Sequence, residues 1–542
     1  MSGPQLRRAV VQGLAALVLL LPLPAPARTR VSFDLETATI ADIDRAIDHG
    51  ALTSEQLVRL SLARIQAYEP QLHAVITLNP RALEEARALD AERRRTGRRS
   101  PLHGIPVLLK DNINTRDLPT TLGFFGLKGA VPYTDAAVVA KLRDAGAIIL
   151  AKVNLSELAS GPPMSSLGGQ TRNPHNPAFS PAGSSNGTAV GVAAGYAPVG
   201  LGTDTTGSAR WPAATNGIVG LRPTLGALSN AGIQPSAPTL DTVGPMARSV
   251  EDAALLLDVL EGGGMRSAPI RNADALRGAR IGFPRRAFTG DDAEVDAAMA
   301  ATLAELRAAG ATVVDIELPD WIPPLSRDLQ AIVVRTESAP SLDAYLQAAF
   351  PSGFPHSHAE ILAMSETLAA SPRPGVTANP GRLAGYRWEA GAAPLTDAAY
   401  RAARDQGRQL LRESLRAVLV DNRLDAIVYP TQTLRINRLD QPPKRNARGL
   451  FGNFGPVLAS LAGWPELVVP AGATTDGLPF GISLLGPEFS DRRLLAFGFA
   501  FEQRTHALRQ PATTPPLPGD RFTYLERRPP TGPRRTSRQS AP

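Results

Sequence analysis

The chain has 542 residues, 43% hydrophobic and 20% charged, enough to bury a large core without a disulfide or a structural metal. It has no Cys, which excludes disulfides, thiolate zinc sites, iron–sulfur clusters and a cysteine nucleophile. The net charge of +7 is not spread over the body: seven of the 57 Lys and Arg lie in residues 1–27 and 527–542, which hold no more than one sign of charge, and the other 50 balance the 50 Asp and Glu, which argues against the basic face of a nucleic-acid enzyme.

In chain order, residues 1–27 read as a secretory signal. Arg7 and Arg8 supply the positive start, Ala9 to Leu21 an apolar run, and Ala25-Pro26-Ala27 the small residues before a cleavage site at Arg28. The run of about 13 apolar residues is short of the ~20 that span a bilayer. A periplasmic or secreted protein with no stable membrane association is expected, the competing reading being an uncleaved N-terminal anchor. Helical spacing covers Ala41 to His49, Thr53 to Tyr68 and Pro80 to Arg95, and Thr53 with Gln56 forms a capping box. Ile105 to Leu109 is a short apolar run ending at Lys110 and reads as a buried strand. Ala136 to Ala145 is a helix stopped by Gly146, and Ala147 to Val153 a strand. Further strands are expected at Tyr196 to Gly202, Gly217 to Leu221, Arg280 to Phe283, Thr312 to Leu318, Asp425 to Tyr429, Leu467 to Pro470 and Phe480 to Leu485. Helices fill Val250 to Leu260, Glu294 to Ala309, Ala398 to Leu419, Leu458 to Leu461 and Arg492 to Arg504. This alternation predicts an α/β fold: one large α/β/α domain over residues 28–526 with a mixed, mostly buried sheet. Residues 264–450 have a weaker pattern, with Pro323-Pro324 and Pro372 to Pro380 as loops, and are expected to form a variable region on the substrate side. The basic, Pro/Ser-rich tail 527–542 is expected to be disordered.

Residues 161–244 are rich in Gly, Ser, Thr, Asn and Pro yet keep the apolar pieces Ala189 to Ala194 and Ile218 to Leu221, so they are no linker. Gly183-Ser184-Ser185-Asn186-Gly187 matches G-x-S-x-G, but the Pro-rich approach from Asn173 to Pro181 cannot be the central strand that a Ser185 nucleophile elbow needs. Gly202 to Arg210 instead ends a short strand in a small-residue turn carrying Ser208. Backbone N–H groups in such a turn can converge on an anion, so a serine there could attack a carbonyl and have its oxyanion held. No His lies nearby in sequence. Lys110, held beside buried strand residues, is the candidate base, because burial lowers an ammonium pKa. The pair His356 and His358 reads as a solvated loop, and neither metal nor cofactor is expected.

Three stretches together resemble the amidase signature family: Gly104-Ile105-Pro106-Val107-Leu108-Leu109-Lys110-Asp111, Ala182 to Ala189, and Gly202 to Arg210 running into Gly217 to Thr224. Gly477 to Ile482 and Phe501-Glu502-Gln503 are also similar, so the resemblance covers about residues 34–510, with a look closest to an exported, peptide-amidase-like branch. It implies the amidase signature fold and a catalytic set of Lys110, Ser184 held by a cis peptide bond, and the nucleophile Ser208. It implies an oxyanion hole from the N–H groups of Thr205, Thr206, Gly207 and Ser208. The expected activity is hydrolysis of a carboxylic amide, of small molecules or of peptide C-terminal amides, by a monomer or homodimer. Carbamate or ester hydrolysis is the alternative. An ammonia-passing component of an amidotransferase is a further one, and a solute-binding protein that lost turnover a third. Ser160, Gly161 and Met164 are weaker candidates for the acyl pocket. Thr206, Asn186 and Thr188 depart from the family pattern. Asp204 with Arg210, Lys152, Ser165, Ser166 and Gln170 read as structural, Asn154 as a residue able to approach the site, and Phe124, Phe125, Trp321, Trp388, Phe451 and Phe454 as either pocket walls or core.

Overall fold

The computed structural model describes residues 28–263, 270–446, 449, 452 and 454–527; the expected signal segment 1–27, the tail beyond Arg527 and Phe451 lie outside the described residues. Eleven strands form one mixed sheet in the order Thr312–Asp315, Arg280–Phe283, Ala426–Pro430, Pro479–Leu485, Glu466–Ala473, Val219–Arg222, Thr242–Ala247, Val199–Asp204, Pro106–Lys110, Ile148–Val153 and Val75–Leu78. Helices cover both faces, as the alternating pattern requires, and apolar clusters fill both interfaces. No helix among the described residues is long and apolar enough to cross a membrane.

Lys110, Thr203 and Asp204 stand at the ends of two adjacent parallel strands, with Leu109 opposite Leu201. The helix Asn186–Ala193 lies directly on them. Its Gly187 touches the backbone of Asn154, where a Cβ would collide, and Gly200 and Gly202 in the strand beneath make room for Thr188 and Ser185. Close helix–sheet approach is therefore what these glycines permit.

Several elements differ from the sequence reading. Thr242–Ala247 is a central strand that the pattern hides, because Gly244 and Pro245 interrupt it. Pairing with Val219–Arg222 stops at Met246, so Pro245 needs no donor on that side. Pro323 and Pro324 are not loop residues; they open the 28-residue helix Ile322–Ala349, whose first turn has no use for their missing N–H. Pro380 likewise begins the helix Pro380–Ala390 behind an Asn379 cap. Residues 264–450 are thus not all cover: Arg280–Phe283, Thr312–Asp315 and Ala426–Pro430 belong to the sheet, and the helices Ile322–Ala349 and Pro380–Ala390 line the cavity that holds Ser208. Arg527, assigned to the tail, ends the strand Arg521–Arg527, which pairs antiparallel with Arg28–Asp34. Arg64, fully buried, ties this ribbon's neighbours together: it is bonded to the carboxylates of Glu36 and Asp520 and donates to the carbonyls of Ala194 and Thr514, both at 2.9 Å.

Glu502, from a stretch the resemblance singled out, accepts the Val250 N–H at 2.9 Å and so caps the helix Val250–Glu261. It has no cationic partner among the described residues, and burial pushes its carboxyl up to about 8. Its folded value exceeds the unfolded one of about 4.3, so the folded state keeps a proton that the unfolded chain releases, and stability falls as pH rises between those values. Glu502→Gln keeps the acceptor and removes the ionisation. Urea unfolding is expected to show a stability gain over wild type at pH above about 8 that shrinks to nothing near pH 4. A pH-independent difference would refute this.

Candidate active site

Lys110 is buried at the end of its strand and Nζ donates to Ser184 Oγ and to Thr203 Oγ1, each at 2.7 Å. No ion pair reaches it among the described residues. Burial pushes its pKa down to about 7, against the weaker pull of Asp204 and Asp241 in the other direction. A neutral amine is therefore available near neutral pH. Asn112 Nδ2 also donates to Thr203 Oγ1, at 3.1 Å. Thr203 went unnoticed in the sequence; the available signal was its place immediately before Asp204, on a strand end next to that of Lys110.

The Gly183–Ser184 peptide is cis, as the resemblance implied. The Ser184 carbonyl accepts from Ser156 N–H, and Ser185 N–H donates to the Ser208 carbonyl, both at 3.1 Å, so the two serine loops are stitched by backbone. Ser208 is half-buried and lines a cavity of about 100 Å³ together with Ser160, Thr205, Thr206, Gln234 and Gln330. Its Oγ makes no hydrogen bond among the described residues. Lys110 is thus bonded to Ser184, and the loop carrying Ser208 is held by backbone to the residue after Ser184, with Ser208 on the cavity wall. Ser185, the rejected elbow serine, is fully buried and trades hydrogen bonds with the backbone of Thr203 at 3.2 Å.

The turn before Ser208 is held by Asp204. Its carboxylate accepts the N–H groups of Gly207 and Ala209, both at 3.1 Å, and is clamped by Arg210 at 2.8 Å and Arg222 at 2.9 Å. Burial alone would raise this carboxyl; Arg210 and then Arg222 outweigh it and hold it far below the usual range. The Asp204–Arg210 pair is structural, as expected. One correction follows for the oxyanion set: the Gly207 N–H is spent on Asp204. The N–H groups of Thr205, Thr206 and Ser208 have no protein acceptor among the described residues.

Of the weaker pocket candidates, Ser160 lines the cavity with Ser208, whereas Gly161 and Met164 do not. Gly161 faces Arg382, and Met164 pairs with Gln170 in a two-residue ribbon. Lys152 pairs with Asp111 at 3.1 Å, and the Asn154 amide is consumed by His73, Gly169 and Thr171. Ser165, Ser166 and Gln170 hold loops through Asn154, Glu157 and Pro163. Phe124 is core, while Trp388 and Phe454 line an outer chamber. His358 is not solvated; it is buried against Glu389 at 3.1 Å. No His/Cys/Asp/Glu cluster able to hold a metal occurs among the described residues.

The family model described as Amidase matches residues 56–495. The chain is similar to a glutamyl-tRNA(Gln) amidotransferase component (the A-type polypeptide) from Deinococcus radiodurans, 37% identical over 481 residues, which cover 86% of this chain and 96% of that one. It is similar in structure to the native peptide amidase of Stenotrophomonas maltophilia, with a TM-score of 0.78, 38% identity, and 88% and 98% of the two chains covered. An amidase family protein from Bacillus anthracis gives a TM-score of 0.76 at 32% identity, covering 88% and 92%.

Proposed function

The chain belongs to the amidase family, which makes it an enzyme of C–N bond chemistry, and from that premise we propose that it is a stand-alone hydrolase that splits a carboxylic amide into carboxylate and ammonia or amine. The observation that carries this reading is a buried lysine, poised near neutrality, bonded to Ser184 beside a cavity onto which Ser208 opens.

Ser208 Oγ attacks the amide carbon and its proton passes to Ser184 Oγ, whose own proton goes to Lys110 Nζ. When Lys110 is neutral, Thr203 still accepts one of its N–H groups and the contact with Ser184 reverses, the Ser184 hydroxyl donating to the amine lone pair. The carbonyl oxygen becomes an oxyanion facing the N–H groups of Thr205, Thr206 and Ser208, each such donor being worth roughly 3 kcal/mol of barrier. The C–N bond breaks as the relay returns the proton to the leaving nitrogen. Water then attacks the seryl ester and gives one proton to the relay; the Ser208 Oγ–C bond breaks, the relay returns that proton to Ser208 Oγ, and the acid product leaves as carboxylate with its remaining proton lost to solvent. The site accepts esters and carbamates by the same steps, esters having the better leaving group.

The relatives named as amidotransferase components favour a second reading, in which the ammonia is passed to a companion polypeptide. The signal segment speaks against it, because we place the mature protein in the periplasm or outside the cell. One experiment separates these readings. The purified chain alone, given peptide amides, aryl amides and carbamates, is expected to release ammonia or amine and to take up one serine-directed phosphonate, on Ser208 by mass spectrometry. Turnover only in the presence of companion polypeptides, or no adduct, would overturn the proposal.

A further inference from the structure

The cavity around Ser208 opens into a second chamber of about 390 Å³, and the two share Ser160, Thr206, Gln330 and Val334 as their common wall. The inner chamber, about 100 Å³, holds little more than the reacting amide itself, so the bulk of a substrate extends into the outer one. The outer wall is largely apolar, from Ala331, Val334, Trp388, Phe454 and Val457. Its charged lining residues are Arg327 and Arg445, and no Asp or Glu lines it among the described residues. Arg445 donates Nη1 to the Gly449 carbonyl at 2.7 Å. Arg327 is half-exposed and gives only Nε to a carboxylate, that of its sequence neighbour Asp328 at 2.9 Å; its two terminal NH2 groups have no protein acceptor among the described residues. Asp328 engages only the Nε side of the guanidinium, and Arg327 lies where this chamber adjoins a second surface cavity lined by Glu317 and Asp320.

The helix Ile322–Ala349 sets a scale. Residues 327, 330, 331 and 334 fall on one face of it and run from the mouth to the common wall. Arg327 precedes Val334 by seven residues, about 10 Å along the axis at ~1.5 Å per residue. An extended peptide covers that span in about three residues.

We propose that Arg327 reads an anionic group on the substrate about three residues from the scissile amide. The preferred substrate class is then an acidic, partly apolar acyl amide, such as a peptide amide with Asp or Glu near that position. This rests on the amide-hydrolase reading and specifies the substrate for the same site. A planar guanidinium fork suits a carboxylate, and at a half-exposed mouth the gain is modest and screened by salt.

The test uses short peptide C-terminal amides in which a single Asp replaces Asn at successive positions, with kcat/KM read for each Asp/Asn pair. The ratio is expected to peak near the third residue from the amide, at about fivefold in low salt, and to fall toward one in high salt. Arg327→Gln is expected to flatten the ratio across all positions. Arg327→Glu is expected to favour Lys over Asp at the same position. A wild-type ratio that is flat, or a peak that survives Arg327→Gln, overturns the assignment while leaving amide hydrolysis intact. Failure to hydrolyse any member, the Asn parent included, overturns the hydrolase reading and this inference with it.

Discussion

Ser208→Ala is expected to abolish amide turnover, lowering kcat by a factor of about 10⁴ or more, with thermal unfolding unchanged. The size follows from its place in the relay: without the hydroxyl no acyl-enzyme forms, and the remaining N–H donors act on nothing that attacks. Residual catalysis by the rest of a dismantled relay is small, because its members work as one unit. The unchanged stability follows from the geometry. Ser208 is half-buried on the cavity wall and its Oγ holds nothing in the fold, so its loss opens neither an unsatisfied bond nor a core void. Steady-state kinetics beside a calorimetric scan check both halves. Activity within tenfold of wild type would remove Ser208 from its assigned role.

Lys110 carries the second large effect. Below about pH 7 the buried amine takes a proton and can no longer accept one from Ser184. The wild-type kcat/KM is therefore expected to fall tenfold for each pH unit below that value and to level off above it. Lys110→Ala should lose about 10³-fold or more and with it the acidic limb of the profile. Lys110→Arg is the sharper variant, because it restores the positive charge and much of the bulk. A guanidinium stays protonated at every accessible pH, so a base is missing although a cation is present. An arginine variant with near-normal rate would mean that the lysine supplies only charge. A wild-type profile without an acidic limb would mean that it does not titrate in the working range.

How much of this is legible in the sequence depends on the distance over which each contact acts. The Lys110 strand can be read because five apolar residues in a row, bounded by Gly104 and a charge, leave little choice. The convergence of Lys110 with Ser184 comes from the resemblance, since nothing local couples residues 74 apart in sequence. The Asp204 clamp is half visible: Arg210 is close in the chain, but Arg222 and Glu466, which complete the buried charge cluster, come from other strands. Thr203 escapes notice because a threonine in a strand carries no mark of the lysine on the neighbouring strand. Several of the misread elements turn on proline. Pro323, Pro324 and Pro380 signal a break in the chain only if the start of a helix is ignored, and Pro245 sits where its strand has lost one partner. The oxyanion set is overcounted for a similar reason, because a motif cannot say that the Gly207 N–H already serves the carboxylate three residues earlier.

The pairing of Arg28–Asp34 with Arg521–Arg527 sets the order in which the molecule can be completed. The first strand has no partner until the last one has been synthesised, and Arg64 lacks one of its two counterions until Asp520 arrives. A nascent chain emerging from the ribosome therefore carries an unfinished amino-terminal edge for almost its whole length. Closure of that edge waits for the final stretch of the chain.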